Sequence, residues 1–246
     1  MGEVLGFSVW CEDEAGPYTT APYPGRNWQP GGQPARQPHE YHPNGTAKLL
    51  TLLHPASGKV HVKGVTRTTN PILLGWLKAQ LTQILQKLPE ACPRSAYHER
   101  LIWEQWQEGL TRRVGLPLQV SPLRLLLVMD NLIGHKNPDW LCWCFSQGIL
   151  PLYTPLGGSW LNMAESIQRL LKRRALDGQE FLSPQPLIQA LEAVAAHWNA
   201  HPTPFVWAGK RRARRTRTAR SMHRLGASGA ASPRSVRAFY ARLRPK

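Results

Sequence analysis

The stretch LRLLLVMDNLIGHK, from Leu123 to Lys136, decides the fold, because a run of apolar residues ends there in an acidic side chain. Continuous apolarity over Leu123–Met129 predicts a strand covered on both faces, as in the middle of an α/β sheet. Asp130 follows this strand directly. Side chains at the carboxyl ends of such strands face the crevice where ligands bind, so Asp130 is a candidate site residue. The alternative is an aspartate that only stabilises its own turn.

Four further segments upstream predict three strands and a helix. Val4–Glu12 (VLGFSVWCE) is typical of a strand that ends in the acidic triplet Glu12-Asp13-Glu14. Thr46–His54 and Lys59–Thr66 flank a four-residue turn and predict a hairpin. A helix with leucines at 3.6-residue spacing is expected to begin at Asn70-Pro71.

Downstream of Asp130 the pattern alternates between helix and strand. We expect a helix over Pro138–Gln147, stopped by Gly148, and a short buried strand over Ile149–Tyr153. Ser159 is expected to cap a helix over Trp160–Leu176, and a terminal helix is expected over 185–199. Residues 89–120 are either an insertion or a helical region. The order predicts an α/β fold with three antiparallel-type strands followed by alternating helices and strands.

The charge is distributed unevenly along the 246 residues, which carry a formal net charge of +16. Residues 1–206 hold 18 Lys and Arg together with all 15 acidic residues, whereas residues 207–246 hold the other 13 basic residues. We therefore expect a nearly neutral domain over 1–206 and a basic, flexible tail over 207–246. Such a tail can contact phosphates without reading sequence.

Composition excludes several classes of protein. The longest apolar runs are too short to span a bilayer, and the N-terminus lacks the basic region of a secretory signal. The four cysteines have no paired spacing, which suits a reducing compartment, so a cytoplasmic protein associated with the nucleoid is expected.

Three carboxylates carry the functional hypothesis together, although each has a simpler explanation alone. Asp13 could belong to a solvated acidic turn, and Glu165 could form a surface pair with Arg169 one helical turn away. Composition alone leaves open whether Glu12, Asp13 or Glu14 points into a site. Carboxylates from two strand ends and one helix start can converge on divalent cations, which prefer hard oxygen ligands. Two such ions can activate a water and stabilise the leaving oxygen of a phosphodiester.

Three segments resemble the signature blocks of DDE transposases, in the same order. They are CEDEAGP (Cys11–Pro17), LLLVMDNLIGHK (Leu125–Lys136) and YTPLGGSWLNMAES (Tyr153–Ser166). The resemblance is strongest to bacterial insertion-sequence members of the Tc/mariner superfamily, specifically the six-thirty family. It covers roughly residues 4–182, and the separation of Asp130 from Glu165 agrees with the pattern. The resemblance implies an RNase H-like fold with a mixed five-stranded sheet flanked by helices.

The resemblance also implies a chemistry and a set of residues. Asp13, Asp130 and Glu165 would be catalytic and would bind Mg²⁺ or Mn²⁺, with two ions expected. The implied reaction is DNA cleavage at the ends of a mobile element, followed by transfer of the 3′-hydroxyl to target DNA. Supporting or DNA-contacting roles are expected for Asn131, His135, Trp160 and Asn162. DNA contacts of the tail are expected from Lys210, Arg211, Arg212, Arg214, Arg215, Arg217 and Arg220.

One feature of the family pattern is missing from the sequence. Relatives carry N-terminal helix-turn-helix modules, whereas here the first catalytic strand is expected within a few residues of Met1. A separately encoded helix-turn-helix protein is therefore a possible partner, besides DNA and a second copy of the chain. The alternative function is a catalytically silent nucleic-acid-binding remnant of a truncated transposase, and a third is another nuclease on the same fold.

Overall fold

The computed structural model describes residues 7–205 except 26–28, 35, 37–38, 91–94, 109–114, 117–119, 156–157 and 159–160. The chain divides into two units, residues 1–204 and 205–246. All the helices and strands described below belong to the first unit. The tail over 207–246 lies outside the described residues, so its expected flexibility and DNA contacts stay predictions.

A mixed five-stranded sheet forms the centre of the first unit. Its strands are β1 (Ser8–Thr19), β2 (Thr46–His54), β3 (Lys59–Val65), β4 (Leu125–Met129) and β5 (Ile149–Tyr153). Their order across the sheet is β3-β2-β1-β4-β5. The β1–β2 and β2–β3 pairs are antiparallel, whereas β1–β4 and β4–β5 are parallel. The predicted hairpin, the central apolar strand and the mixed sheet are confirmed.

The first strand is longer than predicted. It was expected to end at Glu12, but β1 continues to Thr19, with an irregularity between Ala15 and Tyr18. The reason is that β1 has two partners of different length. Its parallel pairing with β4 stops at Cys11, while its antiparallel pairing with β2 runs on to Thr19. The acidic triplet therefore lies within a strand, just beyond the point where β4 ends.

Helices cover both faces of the sheet. They are α1 (Asn70–Lys87), α2 (Ala96–Glu108), α3 (Pro138–Gln147), α4 (Ala164–Leu176) and α5 (Pro184–Ala200). One apolar cluster joins Trp10 of β1 and alternate residues of β4 to the first three helices. A second cluster joins Cys11 of β1 to α4 and α5. Because side chains alternate along a strand, Trp10 and Cys11 serve opposite cores.

The helix ends agree with the sequence at α3 but not at α4. Gly148 ends α3 in the left-handed conformation, with φ of 68°, as glycine does at many helix ends. Helix α4 begins at Ala164, with Met163 at its N-cap position, later than the predicted start, and the predicted cap Ser159 lies outside the described residues. The Asn162 side chain instead accepts a hydrogen bond from the Ala164 N–H, at 3.2 Å, so the asparagine organises this helix start.

The region 89–120 is partly helical. Its described part contains α2, in which Trp103 is fully buried and Trp106 donates to the Pro151 carbonyl at 2.6 Å. Among the described residues, no helix has both the length and the apolar character needed to cross a bilayer.

Candidate active site

Topology brings the three predicted carboxylates to one end of the sheet. Asp13 lies on β1 two residues after Cys11, the last residue that pairs with β4, and Asp130 follows the last residue of β4. Glu165 is the second residue of α4, which packs against β1 and β2. The charges of Asp130 and Glu165 both act on Asp13.

Asp13 is half-buried on the face of β1 that α4 covers. Burial, together with the like charges of Asp130 and Glu165, raises the pKa of Asp13 to about 7. Hydrogen bonds from the Glu14 backbone and the Gln168 side chain act in the opposite direction. Two additional negative charges beside a half-buried carboxylate make this corner of the protein a place that favours a cation.

Asp130 is held by two hydrogen bonds to one of its oxygens. Its Oδ1 accepts from the Leu132 N–H at 3.1 Å and lies 2.9 Å from His135 Nδ1. Burial alone would raise the pKa of Asp130, but these two hydrogen bonds outweigh it and leave that pKa below its ordinary value. The bond to Leu132 is the turn-forming contact that the sequence offered as the simpler explanation for Asp130.

His135 lies in a 3-10 helix, Ile133–Lys136, and its side chain is 1% exposed. Burial lowers the pKa of His135, but the hydrogen bond with Asp130 and the charge of Glu12 raise it to about 8. The ring thus lies between two carboxylates and is not on the surface. A direct DNA contact, one of the roles expected for His135, does not suit a side chain this buried.

Glu12 resolves part of the ambiguity in the acidic triplet. Its side chain is fully buried on the face of β1 opposite to Asp13, with Oε2 3.4 Å from His135 Nε2. Burial raises the pKa of Glu12 to about 8, while His135 acts to lower it. Glu14 is partly exposed and lies 3.9 Å from Lys48 Nζ. Of Glu12 and Asp13, Asp13 is the one whose pKa the charge of Glu165 raises, and its catalytic role stays a prediction.

Glu165 forms the predicted surface pair with Arg169. Its Oε2 lies 3.0 Å from Arg169 Nη2, and the two side chains are 26% and 78% exposed. Together with Asp13, both residues line an open depression over β1 and α4. Its remaining lining residues are Glu14, Ala15, Tyr18, Gln168 and Lys172.

The other predicted residues have structural contacts where they are described. Asn131 donates from Nδ2 to the Thr154 carbonyl, which ties the loop after β4 to the end of β5. Asn162 is buried and donates from Nδ2 to the Glu12 carbonyl, so it joins β1 to the start of α4. Trp160 and the seven basic tail residues lie outside the described residues, and their roles stay predictions.

Two residues of the site were not singled out from the sequence. Gln168 is buried between Asp13 and Thr51 Oγ1, to which its Nε2 donates at 3.3 Å. Its position three residues after Glu165 places it on the same helix face, and that spacing could have identified it. The burial of Glu12 could have been predicted only if β1 were known to continue through the acidic triplet. The alternation of side chains between the two faces of a strand applies only to residues inside the strand.

The donor set suits Mg²⁺ or Mn²⁺, because carboxylate oxygens are the ligands that these ions prefer. Within the described ranges, however, no group of three His, Cys, Asp or Glu side chains is placed to hold an ion. Two of the three carboxylates have a local partner among the described residues, His135 for Asp130 and Arg169 for Glu165. Arg169 therefore competes with a cation for Oε2 of Glu165.

Comparison with known proteins identifies the family and the fold of the chain. Residues 8–188 match the family described as DDE superfamily endonuclease. The fold resembles the Mos1 transposase paired-end complex with left transposon end, at 14% identity and a TM-score of 0.50 over 81% of this chain and 50% of that one. It also resembles the Mos1 mariner paired end complex with Mn, at 13% identity and a TM-score of 0.50, over 80% and 49%. The expected RNase H-like fold is confirmed. The chain spans about half the length of these structures, and no curated protein matches it significantly.

Proposed function

Because the chain belongs to the DDE superfamily of endonucleases, we propose that it cleaves DNA in a transposition reaction and transfers the resulting 3′-hydroxyl to target DNA. In this proposal Asp13, Asp130 and Glu165 hold one or two Mg²⁺ or Mn²⁺ ions. The observation that carries it is the placement of Asp13 and Glu165 in one depression at the end of β1 where Asp130 follows β4, close enough for the charges of Asp130 and Glu165 to act on half-buried Asp13. Unlike Asp130, Asp13 has no salt bridge among the described ion pairs.

The bound ion would supply an activated water or hydroxyl and would stabilise the leaving oxygen of the phosphodiester. The side chains of the protein supply position and charge. Gln168 holds Asp13 from α4, and His135 holds Asp130 from the 3-10 helix. Asn162 keeps the start of α4, and with it Glu165, fixed to β1.

DNA would approach through the open depression over β1 and α4. Arg169 and Lys172 line this depression beside the two carboxylates and are exposed. These two positively charged side chains could contact phosphate oxygens on either side of the bond that is cleaved. The tail residues 210–220 would add contacts that do not depend on sequence. A second copy of the chain and a separately encoded helix-turn-helix protein that reads the ends of the element are the other proposed partners.

The alternative function, a silent nucleic-acid-binding remnant, predicts binding without chemistry. The test is nicking of supercoiled plasmid and joining of 3′-hydroxyl duplex ends by the full chain, with Mg²⁺ or Mn²⁺. We expect the wild-type chain to nick the plasmid, and we expect Asp130→Asn and Glu165→Gln each to abolish this nicking. Glu104→Gln, which changes an exposed carboxylate on α2 paired with Arg100, should nick as the wild type does.

Three results would contradict the proposal in different ways. Nicking that survives both substitutions would remove the assigned site. Salt-sensitive binding with no nicking in either metal would favour the silent remnant. Cleavage of an RNA–DNA hybrid in preference to duplex DNA would favour another nuclease on the same fold.

A further inference from the structure

Glu12 is a buried carboxylate that the proposed chemistry does not use. Its side chain is fully buried, and neither oxygen has a hydrogen-bond partner among the described residues. A buried carboxylate without a partner is costly, so one that is kept inside a core needs a compensating charge or a reason. The charge that faces it belongs to His135, whose Nε2 lies 3.4 Å from Oε2.

The His135 ring spans two carboxylates. Its Nε2 faces Glu12, and its Nδ1 lies 2.9 Å from Asp130 Oδ1. Asp130 needs an N–H from Nδ1, but a neutral imidazole carries only one N–H and can place it on either nitrogen. The Asp130 carboxylate itself accepts from Nδ1, and Glu12 holds the ring from the opposite side, where its Oε2 faces Nε2.

The surroundings keep the ring in this place. The Tyr153 hydroxyl donates to the His135 carbonyl at 2.7 Å, and the His135 N–H donates to the Leu132 carbonyl at 3.1 Å. Asn162 fixes the Glu12 backbone through its carbonyl. The two ends of the bridge from Glu12 to Asp130 are therefore anchored independently.

The result of the bridge is a fixed carboxylate at Asp130. Both hydrogen bonds to this side chain, from His135 and from the Leu132 N–H, fall on Oδ1. Oδ2 takes no part in them and keeps a defined direction. We infer that Glu12 is a positioning residue, which acts through His135 to orient the free oxygen of Asp130. The inference rests on the proposed function, in which Asp130 binds the metal ion.

Mn²⁺ affinity of the metal-free full chain, measured by calorimetry without DNA, tests the inference. Loss of a residue that orients a metal ligand commonly costs 10- to 100-fold in affinity, and we expect about that loss for Glu12→Leu. Glu12→Gln should stay within about threefold of the wild type, because its amide N–H can donate to Nε2 and keep the proton on Nδ1. Glu12→Leu should add little when His135 is already Ala.

Glu99→Leu is the matched control. Glu99 is also a buried glutamate, but its Oε2 accepts from the Leu123 N–H at 3.0 Å, before β4 begins and away from Asp130. The Glu99→Leu substitution should lower the melting temperature and leave Mn²⁺ affinity unchanged. Equal affinity losses for Glu99→Leu and Glu12→Leu would reduce the role of Glu12 to stability and overturn the inference.

A measurement on the wild type covers the case in which Glu12→Leu does not fold. Long-range ¹H–¹⁵N spectra of the metal-free chain should show His135 protonated on Nδ1, and an unprotonated Nδ1 would overturn the inference. The proposed function fails separately. If Asp130→Asn leaves Mn²⁺ affinity intact, the metal assignment is wrong, whereas loss with Asp130→Asn but not with Glu12→Leu refutes only the role of Glu12.

Discussion

Glu12 and Asp13 are neighbours on β1, yet their side chains lie in opposite environments. Glu12 is fully buried on the same face of β1 as Trp10 and faces His135. Asp13 lies on the α4 side and lines an open depression. The same strand therefore provides an internal support on one face and a candidate ligand on the other. What separates them is the alternation of side chains along a strand.

The largest difference in activity should appear when each of the two residues is replaced by its amide. Asp13→Asn removes a proposed metal ligand, and we expect DNA nicking to fall about a thousandfold, since metal assistance is worth several kcal/mol. Glu12→Gln keeps a donor toward His135 and should retain most of the activity. A plasmid nicking assay measures both, and a Glu12→Gln variant as inactive as Asp13→Asn would erase the difference between the two faces.

The rise in melting temperature on Mn²⁺ binding should also distinguish Glu12 from Asp13. Mn²⁺ at 100 times its dissociation constant stabilises a folded state by about 2.7 kcal/mol, which corresponds to a rise of roughly 5–10 °C in melting temperature. We expect this rise for the wild type and for Glu12→Gln, and none for Asp13→Asn. Removal of the ion with EDTA should reverse it. A rise that persists in Asp13→Asn would place the ion elsewhere.

The parts that the sequence predicts well are those fixed by apolar pattern and by local signals. Strand β5 and helix α3 have the expected bounds, because an apolar run and a C-terminal glycine define them locally. Strand β1 does not, since its end is set by β2, a partner more than 25 residues away in sequence. Propensity alone ends a strand at an acidic triplet, and antiparallel pairing overrides it.

The candidate site shows the same division. Asp13, Asp130 and Glu165 could be assigned because the three blocks resemble a known family. The partners of these residues could not be assigned, because His135 reaches both Asp130 and Glu12 only once β1 and β4 are adjacent. Asn162 is similar, since its bond to the Glu12 carbonyl spans 150 residues of sequence.

Asn162 connects the backbone of Glu12 on β1 to the start of α4, which carries Glu165. Asn162→Ala removes its bond to the Glu12 carbonyl and its bond from the Ala164 N–H, and we expect a loss of roughly 1–2 kcal/mol in the free energy of unfolding. Mn²⁺ affinity should fall as well, because the start of α4 positions Glu165.

A matched control exists on α5. Asn199 bridges to Val60 of β3 through both its side-chain atoms, at 2.9 and 2.6 Å. Asn199→Ala should cost a similar free energy, measured by urea unfolding, without changing Mn²⁺ affinity. If both variants weaken Mn²⁺ equally, Asn162 contributes stability alone.

The smallest effect should come from Arg169, on the exposed side of the depression. An exposed ion pair between residues four apart on a helix contributes about 0.3–0.5 kcal/mol, so Arg169→Gln should barely change the free energy of unfolding. Since Arg169 competes with a cation for Oε2 of Glu165, the substitution should raise Mn²⁺ affinity, by about twofold at these energies. Arg100→Gln breaks an equivalent pair with Glu104 on α2 and should leave the affinity unchanged. An affinity that falls with Arg169→Gln would mean that the arginine holds Glu165 in its binding position, and the open face of β1 would then be as preorganised as the buried one.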